Sequence, residues 1–153
     1  QLAQGEFFAT KQRMGEADAV FGKILESKPD QIGVYFEAGD YYRDRKNAEQ
    51  MGKAIAAAEQ IDPNDRRLRF YKGILLVLQG KNPSEAELLL KSYLATVPNH
   101  SNLPSHAIAR EWLGKLYESQ GKKAEAAGAY RASLALDPHN KGVEEALKRV
   151  QGK

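Results

Sequence analysis

The sequence predicts an all-α solenoid, in which antiparallel helix pairs stack along the chain and a capping helix closes the last of them. Three observations carry that prediction. Prolines recur in similar settings at Pro29, Pro63, Pro98 and Pro138, with spacings of 34, 35 and 40. Gly39, Gly73 and Gly114 keep a matching period, spaced 34 and 41, and each precedes a large side chain by three residues (Tyr42, Leu76, Tyr117). Apolar residues fall at helical spacing, as in Leu68, Tyr71, Leu75 and Leu78, and no stretch alternates with period two. One helix pair of this length cannot bury its apolar face alone, so neighbours must stack to make a continuous core.

Taken in order, residues 1–30 read as a degenerate pair with helices at 2–12 and 16–27, of which the second half keeps Ala17, Phe21 and Pro29. Residues 31–64 form the first full unit, with helices at 31–44 and 47–60 and Met51 twelve residues beyond Gly39. Residues 65–99 form the second, with helices at 66–79 and 83–96. Gly80 ends its first helix, and Asn82-Pro83 opens the next as N-cap and N1 proline, with Glu85 at the capping-box position. Residues 100–140 form the third, with helices at 104–120 and 123–136, Gly121 between them and Ala126 twelve beyond Gly114. Six extra residues, Ser101–His106, precede it and are expected to make a surface loop with Leu103 tucked against the adjacent helix. Residues 141–153 form the cap, apolar at Val143, Leu147 and Val150 and charged at Lys141, Glu144, Glu145, Lys148 and Arg149. In each pair the marker glycine lets two helices approach closely. The whole chain, 1–153, reads as a single domain.

Composition excludes more than it assigns. A chain of 153 residues can bury roughly two-thirds of its unfolded surface, enough for a core without covalent staples. Lys+Arg 23 against Asp+Glu 20 leaves a net charge of +3, and 42% hydrophobic residues exclude a disordered chain. Without cysteine there is no disulfide scaffold, thiolate metal site or Cys nucleophile. The longest apolar run, Ile74–Leu78, is far short of the ~20 residues that span a bilayer, so no membrane insertion is expected. The first fifteen residues show no basic leader followed by an apolar stretch, so no signal peptide is expected in them, and a start at Gln1 leads us to expect a processed or cut product.

Catalytic signals are missing as well. His100, His106 and His139 fall in expected loops without zinc-pair spacing, and Gly121-Lys122-Lys123 lacks the glycine and hydroxyl of a phosphate-binding loop. Glu85/Glu87 and Glu144/Glu145 read as solvated charge on exposed faces. No catalytic residue, metal or cofactor is therefore expected. The basic residues Arg66, Arg67, Arg69, Lys122 and Lys123 lie among acids with no interleaved aromatics, which speaks against nucleic acid. Arg66 and Arg67 stand at a helix start, the unfavourable end for cations, and are expected to pair with Asp62 and Asp65.

The offsets of Gly, aromatic, Ala and Pro resemble those of the tetratricopeptide repeat family. The last unit is the best match, with Leu113-Gly114, Tyr117, Gly121, Ala126, Tyr130 and Pro138, and the resemblance covers about 30–138. It implies a right-handed superhelix whose first helices line a concave, partner-binding groove. Carried over position by position, that groove receives Gly33, Phe36, Asp40 and Arg43 from the first full unit. The middle unit adds Arg67, Phe70, Tyr71, Ile74 and Val77, and the last adds Ile108, Glu111, Trp112, Lys115 and Glu118. The helix Leu68–Leu78 is apolar nearly all round, so Phe70 and Ile74 are either groove or core.

Chaperone-binding members of the family clamp a C-terminal carboxylate with Lys, Asn and Arg. The matching positions here are Phe36, Asp40, Tyr71, Ile108 and Trp112, or one unit earlier Leu2, Glu6, Glu37, Arg67 and Tyr71, and neither set forms such a clamp. The resemblance therefore implies a non-catalytic interaction or scaffold module for a protein or peptide partner, an amphipathic helix or an extended peptide with apolar anchors. In that reading Phe70→Ala costs binding about thirtyfold. Self-association into a homo-oligomer, and a regulatory role within a larger enzyme or assembly factor, are the alternatives. The family occurs in cytoplasm and periplasm alike, so the compartment stays open.

Overall fold

The computed structural model describes residues 14–152. The expected helix over 2–12 and the shifted clamp positions Leu2 and Glu6 lie outside the described residues. Among those described, all regular structure is helical: α1 (Met14–Glu26), α2 (Ile32–Asp44), α3 (Ala48–Ile61), α4 (Leu68–Gln79), α5 (Pro83–Thr96), α6 (His106–Ser119), α7 (Lys123–Leu136) and α8 (Lys141–Val150). They pack as two compact units, one ending at Leu68 and the other beginning at Arg69, where the sequence reads as one domain.

In the first unit α2 and α3 form the main antiparallel pair. The inward stripe of α1 is Ala17, Phe21 and Ile24, spaced as one helix face requires. Phe21 stacks on Tyr41 at 4.2 Å between centroids and meets Tyr42 edge-on at 6.3 Å. Met51, in place of a small residue, is fully buried beside Ala54, Ile55 and Ala58 of α3. The Asn47 side chain caps α3 by accepting from the Gln50 amide.

In the second unit the marker glycines stand at close helix approaches. A Cβ on Gly73 would come within 3.0 Å of Leu90 Cδ2, and one on Gly114 would stand 2.6 Å from Cδ1 and 2.9 Å from Cζ of Tyr130. The fully buried Tyr130 donates its hydroxyl to Glu118 at 2.8 Å, and Arg149 of α8 reaches the same carboxylate at 2.6 and 2.9 Å. Ser133, also buried, donates to the Ala107 carbonyl at 2.7 Å. One carboxylate and one hydroxyl thus tie α6, α7 and α8. The cap α8 buries Val143, Ala146 and Val150, leaves Leu147 half-buried, and turns Lys141, Glu144, Glu145 and Lys148 outward.

Each pair bends through a left-handed residue seven beyond its marker glycine. Gly80 (φ +66°) and Gly121 (φ +73°) take that role as expected, and Lys46 (φ +57°) takes it in the first pair without being glycine. Asn82 departs from expectation. It adopts φ +43° and makes no side-chain cap bond, so α5 starts on its N1 proline alone.

The six-residue insert is more than a spacer. The buried Tyr93 donates its hydroxyl to the Pro104 carbonyl at 2.7 Å, and the His106 ring lies 2.7 Å from the Val97 carbonyl. Ser105 caps the helix through the Ala107 amide, so α6 starts at His106 rather than Pro104, and His106 is a helix residue rather than a loop one. Leu103 is half-buried. Deleting Ser101–His106 is expected to lower stability by about 2 kcal/mol or more, through a lost cap and an unsatisfied phenol. Chemical denaturation of the deletion variant checks this, and an unchanged midpoint would make the insert a spacer after all.

Candidate functional site

On α2, Phe36, Asp40 and Arg43 lie at i, i+4 and i+7 and share one face. Phe36 is buried there, with the Arg67 guanidinium 4.6 Å above its ring. Asp65 holds that guanidinium through two bonds, from Nε at 3.0 Å and Nη2 at 2.7 Å, and also accepts the Arg67 amide. The Arg67 guanidinium in turn keeps the Asp65 carboxyl below the usual carboxylate range. Of the pairing expected for the two arginines, the Arg67–Asp65 part is present, whereas Asp62 instead accepts from the Asn64 amide. Arg43 is only 8% exposed, and it bonds Asp40 at 2.9 Å and Asp44 at 3.0 Å.

In the second unit the face divides by depth. Phe70 and Ile74 are both 0% exposed, and Tyr71 and Trp112 are buried too. Phe70 packs edge-on against Tyr71 at 4.9 Å and tilted against Tyr93 at 5.4 Å. These side chains are core. The expectation of Phe36, Phe70, Ile74 and Trp112 as groove anchors is corrected accordingly, because a side chain already enclosed has no surface to offer a ligand. Val77, Ile108, Glu111 and Lys115 remain half-buried and reach solvent. Lys115 Nζ lies 4.7 Å above the Trp112 ring and 3.7 Å from Glu111. Glu118 is drawn away to Tyr130 and Arg149, and Arg149 holds its carboxyl below the ordinary range.

A different surface emerges from the repeat register. The carboxylate that follows the small alanine of a second helix accepts a tyrosine hydroxyl from the next first helix. Asp18, after Ala17, receives Tyr41, and Glu87, after Ala86, receives Tyr117. A cation completes each site, Arg45 at 3.3 Å from Asp18 and Lys91 at 2.8 Å from Glu87. Lys91 foremost, then the Tyr117 hydroxyl, lowers the Glu87 pKa, and burial raises that of Tyr117. Glu87 is therefore not the solvated charge its position suggests.

Beside each tie lies a cleft, of about 900 Å³ among α1, α2 and α3 and about 410 Å³ among α5, α6 and α7. Sequence reasoning missed both. The available signal was the acidic residue directly after the small alanine, combined with tyrosine two or three positions beyond the marker glycine.

Among the described residues, no cluster of His, Asp and Glu has the grouping of a metal site, and no helix is long and apolar enough to cross a membrane. Residues 93–141, from the end of α5 to the start of α8, match the family model of the tetratricopeptide repeat. No curated protein matches the chain.

Proposed function

We propose a docking module that takes a protein segment on the exposed face of α6, in a chain whose residues 93–141 match the tetratricopeptide repeat family, whose members generally mediate protein–protein interaction and are typically non-catalytic. One observation carries this reading. The cation of that face, Lys115, is already matched by Glu111, as Arg43 and Arg67 are matched by Asp40, Asp44 and Asp65 within the other unit. An acidic tail would have to displace those partners, whereas half-buried Ile108 beside the Lys115–Trp112 stack offers an apolar foothold with a polar rim. An amphipathic helix or an extended segment with an apolar anchor fits that surface.

Selection from a random-peptide display library against the full chain tests the proposal. The recovered peptides are expected to carry apolar anchors and to weaken about tenfold on Ile108→Ala, with the melting temperature measured alongside. Uniformly acidic peptides, or binding indifferent to Ile108→Ala, would overturn it. Light scattering on the same samples separates capture of a peptide from pairing of two copies.

A further inference from the structure

The larger cleft lies in the first unit and shares no residue with the face just discussed. Its walls are α1 and α3 and its floor is α2, which contributes Tyr35 and Tyr42. These two tyrosines are 4% and 3% exposed, yet neither hydroxyl has a hydrogen-bond partner among the described residues, and neither oxygen is sealed from solvent. A nearly enclosed tyrosine normally finds a partner for its hydroxyl. Both residues line the cleft.

The second unit supplies an internal control. Its cleft uses corresponding positions, with Leu94, Tyr117 and Ala132 where the first unit has Leu25, Tyr42 and Ala57. There the Tyr117 hydroxyl is consumed by Glu87. In the first unit the corresponding carboxylate, Asp18, is taken by Tyr41, one residue earlier, and by Arg45. That one-residue change of partner leaves Tyr42 unclaimed. Arg110 replaces Tyr35, and Lys91 fills the place that Gly22 leaves open, so the second cleft has less than half the volume.

Charge narrows the occupant. Asp18 and Glu26 balance Lys28 and Lys53 along the rim, with Asp18 paired to Arg45 and Lys53 to Glu49. What remains is one charge of each sign at the rim, Glu26 and Lys28, so no net charge, and neutral hydrogen-bonding groups, two phenols and the amides of Gln50 and Gln60, over apolar Leu25 and Ile61. Tyr35 and Tyr42 are two turns apart, about 10.5 Å along the helix, which is the length of about three residues of extended chain. The volume falls within the range of natural ligand clefts, about 300–1,000 Å³.

We propose that the cleft of α1, α2 and α3 binds an extended, uncharged peptide segment of a partner protein. Main-chain groups of that segment bond the Tyr35 and Tyr42 hydroxyls, and one apolar side chain rests on Leu25 and Ile61. This site is separate from the α6 face and does not depend on it.

The test uses the full chain and a random-peptide display library. Gly22→Trp fills the cleft from α1, where a Cβ meets nothing within 4 Å. The Tyr35→Phe/Tyr42→Phe pair removes only the two oxygens and decides the matter should Gly22→Trp fail to fold. Uncharged peptides are expected whose binding is abolished by Gly22→Trp, falls about tenfold in the tyrosine pair, changes little with salt and ignores Ile108→Ala. Failure to recover any peptide sensitive to the cleft variants would overturn the proposal, as would recovered peptides that are charged and released by salt. Peptides sensitive to Ile108→Ala alone would overturn this site while leaving the α6 reading intact.

Discussion

Phe70→Ala is expected to cost about 4 kcal/mol of stability, the ordinary loss for a large aromatic removed from a core. The ring is fully enclosed and touches Tyr71 and Tyr93. Tyr93 cannot readily follow into the space, because its hydroxyl is fixed to the Pro104 carbonyl. The cavity therefore stays open, which places the loss toward the upper end of the usual range. Denaturant unfolding of the variant checks this. An unchanged midpoint with weakened peptide binding would restore Phe70 to the groove, as the sequence alone allowed.

Gly114→Leu is expected to cost about 3 kcal/mol, at the top of the range for overpacking, and to lower the melting temperature by about 10 °C. Even the first added carbon would stand 2.6 Å from the ring of Tyr130. That ring has no room to retreat, since its hydroxyl is held by Glu118 and the side chain is fully buried. Gly73→Leu at the corresponding place meets Leu90 instead, an aliphatic chain with rotamers to spare, and so is expected to be the milder change. Equal melting temperatures for the two variants would contradict this account of the helix approaches.

The helices were legible because their signals are local. Gly80 and Gly121 turn after α4 and α6, and Pro83 starts α5. Lys46 was not legible as a turn residue, because nothing in a lysine announces a positive φ. Its position seven beyond Gly39 would have shown it. The candidate face was legible only as a set of positions. Whether Phe70 and Ile74 face outward depends on what covers them, which no periodicity states, and an all-round apolar helix is compatible with either outcome. The cleft of the first unit hid for a similar reason: Tyr35 and Tyr42 look like ordinary core tyrosines until the choice of Tyr41 by Asp18 is known.

Glu118 carries a consequence for the accounting of stability at the end of the second unit. Its two oxygens serve Tyr130 on α7 and Arg149 on α8 together, with Oε1 shared between them. The energies of the two attachments are therefore not separable quantities. Removing the phenol oxygen leaves the carboxylate freer to follow the guanidinium, and removing the guanidinium leaves the phenol with an acceptor that solvent can reach. The two losses are coupled and will not sum. A substitution at position 149 is thereby felt at a tyrosine nineteen residues earlier, and the cap acts as part of the repeat it closes.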